Sequence, residues 1–172
     1  MSVEFIMYGW NGSLDYSNVN NLSIFCNLPS GFSTRNDIKN LIQLNIHPTN
    51  ETGINCNDIE KILQKSYSLE ILKLRYCGIT DSTLFFISET NLKIRELELE
   101  GVLINDEGLQ FLFVLEKLEF LSLKNCFGIT DFGINLIFEN FPNLKKLNIE
   151  GIEEIHYSTI DKLKNRGIDI IS

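Results

Sequence analysis

Leucines two residues apart recur every two dozen positions through most of this chain, and that spacing restricts its fold more than any other feature. Leu72 and Leu74, Leu97 and Leu99, Leu121 and Leu123, and Leu147 and Ile149 belong to four segments that begin at 69, 94, 118 and 144. The shared frame is L-x-x-L-x-L-x-x, completed by Cys77, Val102, Cys126 or Ile152. In the first three segments an Ile and then Thr80-Asp81, Asn105-Asp106 or Thr130-Asp131 follow. Two weaker copies precede these, at Leu41/Leu44/Ile46 and at Val19/Leu22/Ile24 with Asn27 at the eighth step, and Ile168-Asp169-Ile170 closes the series. A self-similar period of this length marks a stacked array of supersecondary units.

The L-x-L core alternates with period two, so it predicts a short strand with one face inward. Cys77, Val102, Cys126 and Ile152 then turn into the core, which makes the two cysteines packing residues rather than reactive ones. Apolar residues at helical spacing follow each unit: Leu84/Ile87, Leu109/Leu112/Phe113 and Ile134/Ile137/Phe138. The Thr, Asn and Asp side chains before them are expected to cap those helices. Asp58 is expected near the start of the first clear helix, and Ser158 to Asp161 reads as a capping-box variant opening the last. Each unit is thus strand, tight turn and helix. One unit cannot bury its inner face, but a parallel stack of about five to six turns shares a continuous core.

Residues 1–37 fit the frame poorly. They hold Phe5, Tyr8, Trp10, Tyr16, Phe25 and Phe32, with only Glu4 and Asp15 charged before Arg35. They are expected to form an N-terminal cap with a degenerate first repeat; a partner-binding aromatic segment is the alternative. Residues 38–172 are expected to form the repeat domain, ending in a capping strand.

The run from Leu118 to Asp131 matches L-x-x-L-x-L-x-x-C-x-x-I-T-D without a gap, and Leu69 to Asp81 matches with one residue missing after Cys77. This frame resembles the cysteine-containing class of leucine-rich repeats over roughly residues 41–172. The resemblance implies an α/β fold, a right-handed leucine-rich-repeat solenoid with a curved parallel sheet on the concave side and helices on the convex side. It also resembles the repeat region of F-box leucine-rich-repeat proteins, the recognition subunits of cullin-type ubiquitin ligases. It departs from them at the N-terminus, where Leu28-Pro29 is followed by no helical run of the length an F-box needs. A ligase role would therefore need another chain or another contact surface.

In such a solenoid the x positions beside the strand leucines point out from the concave sheet. Three columns result: Asn21, Gln43, Ile71, Glu96, Phe120, Lys146; then Ser23, Asn45, Lys73, Glu98, Ser122, Asn148; then Phe25, His47, Arg75, Glu100, Lys124, Glu150. Glu96, Glu98 and Glu100 form an acidic strand between Lys73/Arg75 and Lys124/Lys146. These charges either satisfy one another laterally or select a partner of complementary charge. Ile71 and Phe120 are the apolar anchor candidates, either for a partner or for packing against their neighbours.

Nothing in the chain resembles a catalytic constellation: it contains no G-x-S-x-G, H-E-x-x-H, P-loop or G-x-G-x-x-G. A Cys26–His47 nucleophile and base on adjacent strands, and the Glu96/Glu98/Glu100 row as an acid/base or cation site, are the weak exceptions. Four cysteines without a C-x-x-C pair, and only His47 and His156, predict reduced thiols and no metal site. No cofactor is expected. The net charge of −8 opposes a phosphate backbone or an anionic membrane surface as partner. No apolar run reaches the ~18 residues of a membrane span, and the N-terminus resembles neither a secretory signal nor a transit peptide. The expected function is a non-catalytic protein–protein interaction module, cytoplasmic or nuclear, with a protein partner on the concave sheet. A substrate-recognition component of a ubiquitin-ligase system is the specific case. It would be a monomer alone or a subunit of a hetero-complex. The alternative is a structural subunit of a large mitochondrial or ribosome-associated assembly.

Overall fold

A computed structural model describes residues 4–8, 15–26, 28, 31–48, 54, 56–153 and 155–172. Trp10, Asn27, Pro29 and Glu154 of the sequence reading lie outside them. Among the described residues eight strands form one sheet: β1 (Glu4–Met7), β2 (Asn21–Ile24), β3 (Gln43–Ile46), β4 (Ile71–Arg75), β5 (Glu96–Glu100), β6 (Phe120–Ser122), β7 (Lys146–Asn148) and β8 (Asp169–Ile171). Each strand pairs in parallel with its successor in sequence. Among the described residues five α-helices occupy the later connections: α1 (Cys56–Leu63), α2 (Asp81–Thr90), α3 (Asp106–Leu109), α4 (Asp131–Asn140) and α5 (Tyr157–Asn165). Sequential parallel strands whose connections all cross on one side make a right-handed solenoid with an open, curved sheet.

The predicted register holds through the stack. Leu72, Leu97, Leu121 and Leu147 are direct partners in one row, which Phe5, Leu22 and Leu44 extend at one end and Ile170 at the other. From Leu22 to Leu147 every member of that row is fully buried. The stack exceeds the expected five to six turns because β1 joins it. Phe5 precedes its partner Leu22 by 17 residues, a step too short for the two-dozen-residue period. Residues on either side of position 37 belong to the same sheet. Behind β1–β3, Tyr16 meets Phe5 and Phe32 edge-on at 5.3 and 5.6 Å, and Arg35 lies 4.7 Å from the Tyr16 ring centre.

Cys77 and Cys126 are core residues, as the frame predicts, and all four cysteines are free. Burial pushes the Cys77 thiol up to about 12 and the Cys126 thiol to about 11, so neither is a thiolate at neutral pH. The residue before each inward position carries a feature the frame does not announce. Tyr76, Gly101, Asn125 and Gly151 all have positive φ, at 49°, 59°, 56° and 79°. Glycine and asparagine suit that region. Tyr76 does not, and is held there by its neighbours: its hydroxyl donates to Glu100 Oε1 at 3.0 Å and accepts from Asn125 Nδ2 at 3.3 Å. The turn amides still continue the ladder, Tyr76 to Glu100, Gly101 to Lys124 and Asn125 to Glu150.

Helix capping departs from expectation. Asn105 accepts from the Glu107 and Gly108 amides and Thr130 from the Phe132 amide, as predicted. Thr80 makes no such bond; its hydroxyl pairs with that of Ser82. The box at Ser158 does not form either, since α5 begins at Tyr157 with His156 at the cap. Asp58 does lie near the start of its helix, in the first turn of α1, which begins two residues earlier at Cys56. The aspartates bridge turns instead. Asp81 accepts the Asn105 amide at 3.1 Å, Asp106 accepts the Thr130 amide and hydroxyl at 2.9 and 2.6 Å, and Asp131 accepts the His156 amide at 2.9 Å. His156 Nδ1 also lies 3.1 Å from Asp131 Oδ2. Each carboxylate thereby serves the cap residue of the following helix. Asp106→Ala should cost about 1–2 kcal/mol, because the Thr130 amide and hydroxyl lose their acceptor. Urea unfolding would check this, and a midpoint equal to wild type would refute it.

Candidate functional site

Of the residues singled out for the concave face, Ile71, Lys73, Arg75, Glu96, Glu98, Glu100, Phe120 and Lys146 fall in the expected columns, while Lys124 lies in the turn after β6. Ile71, Glu96, Phe120 and Lys146 are successive partners across β4–β7, as are Lys73, Glu98, Ser122 and Asn148. Arg75 and Glu100 are partners at the end of β4 and β5.

The charges there largely satisfy one another. Lys73 Nζ lies 2.6 Å from Glu98 Oε1, and Arg75 holds the other oxygen of the same carboxylate. Arg75 Nε is 3.5 Å from Glu100 Oε2, and Lys124 Nζ is 2.9 Å from Glu150 Oε2. Burial alone would raise the Glu98 carboxyl; hydrogen bonds from Arg75 and Lys73 outweigh it, and the net shift is downward. The acidic strand is therefore neutralised mainly from the β4 side. Glu98 and Glu100 belong to an ion-pair ladder that Glu96 does not join, and no group of three or more His, Cys, Asp or Glu among the described residues is arranged to hold a metal.

Ile71 and Phe120 are half-buried and flank Glu96 on opposite sides rather than touching as a pair in register. Lys146 Nζ lies 5.8 Å from the Phe120 ring centre, a cation–π distance. Around these residues the sheet edge opens into a recess of about 410 Å³ whose lining includes Ile71, Glu96, Phe120 and Lys146.

Two features of this face are absent from the three-column reading. The first is a fourth column, Glu70, Arg95, Glu119 and Lys145, one residue before the first. Arg95 lies 2.6 Å and Lys145 2.7 Å from the two oxygens of Glu119. Hydrogen bonds from Lys145 and then Arg95 hold the Glu119 carboxyl down at about 2. Its alternating sign at the repeat period is legible in the sequence. The second is an aromatic row at the opposite strand ends. Tyr8 stacks on Phe25 at 5.4 Å, Phe25 meets His47 at 6.2 Å, and His47 meets Tyr76 at 5.7 Å. That placement occupies His47 with rings. Among the described residues no hydrogen bond joins it to Cys26, whose thiol burial pushes up, so the geometry does not assemble the conceivable nucleophile and base.

No family model matches this chain. Solved structures do, and those described here are leucine-rich-repeat proteins. Rad7 in the yeast Rad7–Elc1 complex aligns with a TM-score of 0.66 and 20% identity, over 86% of this chain and 41% of that one. An internalin from Listeria monocytogenes aligns at 0.56 and 12%, over 90% and 48%. TLR13, solved with ssRNA13, aligns at 0.51 and 14%, over 82% and 24%. This chain spans less than half the length of each. The fold is thus a leucine-rich-repeat solenoid.

Proposed function

We propose that this chain is a non-catalytic interaction module that engages a protein partner on its concave sheet. The observation that carries the reading is the pair of apolar side chains, Ile71 and Phe120, which share one column of the sheet with Glu96 and Lys146 and line one recess. A protein partner is favoured over a nucleic acid because the net charge of −8 repels phosphate. The specific case is a recognition component of a ubiquitin-ligase system. It draws on the cysteine-containing frame at Leu118–Asp131 and on the likeness to Rad7, which was solved with Elc1. The comparisons lend no support to a structural subunit of a large assembly.

The test is affinity capture from native extract, followed by titration of the purified partner. Phe120→Asp should weaken binding by ~1–3 kcal/mol, roughly 5- to 150-fold, with little change in the melting midpoint. Unchanged affinity would remove the concave face from the interaction. A collapsed fold would show instead that Phe120 is a packing residue.

A further inference from the structure

The two rims of the concave sheet differ in how their charges are used. At the carboxyl ends of the strands, Lys73, Arg75 and Lys124 each have a carboxylate partner in Glu98, Glu100 or Glu150. At the amino ends two adjoining recesses, about 400 and 410 Å³, share Glu70, Arg95, Glu119 and Lys145. Lys93 and Lys117 complete the cationic lining of the first, and Glu96 and Lys146 stand in the second. Five cations thus face three carboxylates across the two linings, one of them, Lys146, having Asp169 as a further partner at 3.9 Å, inside a chain that is strongly acidic as a whole. Glu119 is already shared by Arg95 and Lys145. Lys93 and Lys117 are exposed and form no ion pair among the described residues. Spare positive charge therefore sits in the first recess, which adjoins the one lined by Ile71 and Phe120.

We infer that this rim docks an acidic–apolar segment of a partner protein, with carboxylates held by Lys93 and Lys117 in the first recess and an apolar side chain seated against Phe120 in the second. The inference rests on the reading of the concave sheet as a protein-binding face and adds the chemistry of the partner. Lys117 stands in the turn that leads into β6 and precedes Phe120 by three residues, so a matching segment carries its acid and its apolar residue a few positions apart. Charge complementarity of this kind selects the partner and its register. A basic segment would be repelled by the same two lysines.

The probe is a fluorescein-labelled dodecapeptide repeating Leu-Ser-Ser-Glu, titrated into the full chain by anisotropy and by amide chemical shifts. Saturable binding is expected, with shifts concentrated along the amino ends of β4–β7, and weakening as salt rises. The double variant Lys93→Glu/Lys117→Glu should bind at least tenfold more weakly while melting as wild type does. Replacing Glu by Lys, or Leu by Ser, in the peptide should abolish binding. No binding of the acidic peptide, equal binding of the lysine peptide, or a double variant that binds as wild type would overturn the inference. So would tighter binding of a dodecauridylate, which would assign the lysines to phosphate. A partner that is lost with Phe120→Asp and retained by the double variant would leave the concave reading standing and remove this one. A partner indifferent to both would remove both.

Discussion

Leu121→Ala is expected to lower stability by ~2–5 kcal/mol, which in a domain of this size is a melting shift of roughly 5–15 °C. Leu121 is fully buried at the centre of the leucine row, with Leu97 and Leu147 as its partners on either side. Truncation removes three carbons from a site walled by two neighbouring strands and by the helices behind them. Those walls are pinned by backbone ladders, Glu119 and Phe120 to Arg95 and Lys145 and Lys146 to Glu119, so the void collapses only in part. Thermal and urea melts with an unchanged slope would measure the loss. A midpoint within a degree of wild type would contradict the register from which the whole concave face is read.

Gly128→Ala is expected to cost about 1–3 kcal/mol, a large effect for one methyl group. The third repeat carries one residue more between its inward cysteine and its Ile than the first two, in the run Cys126-Phe127-Gly128-Ile129. The extra residue is accommodated by bringing Gly128 against the preceding turn, where it bridges to Asn105. A Cβ there would stand well inside van der Waals distance of the Ile104 carbonyl oxygen, a backbone atom that cannot swing aside. Gly78→Ala is the matched control. Its Cβ would meet the Ile54 carbonyl at an ordinary 3.5 Å, and its effect should stay within about 0.5 kcal/mol. Equal urea midpoints for the two variants would show that turn spacing is soft and would sink the steric account.

What the sequence makes legible here follows from which interactions leave a periodic trace. Leu72, Leu97, Leu121 and Leu147 do so because inward residues on stacked strands must all be apolar, and the columns Ile71–Lys146 and Lys73–Asn148 follow from the same alternation. β1 leaves no such trace, since Phe5 and Met7 replace the leucines and the next strand comes too soon. The positive-φ corner is masked by Tyr76, which occupies the slot that Gly101, Asn125 and Gly151 would otherwise reveal. Thr80 and Ser158 show the limit of capping rules, which name residues able to cap without the local context they will meet: the Thr80 hydroxyl pairs with Ser82, and Ser158 falls inside a helix that begins at Tyr157. The lysines at 93 and 117 escape a strand-based reading because they precede the strands, although Arg95 and Glu119 beside them repeat with the same period.

The aspartate bridges give the array a direction of dependence. Asp81, Asp106 and Asp131 each lend an acceptor to the turn that follows and need nothing back from it. Peeling a unit from the carboxyl end leaves behind a carboxylate that water solvates readily, whereas losing a unit from the amino side strips amides at the next helix start of their acceptor. Partial opening should therefore begin near Ile171 and progress toward the amino end, so that the last turns exchange their amide protons soonest.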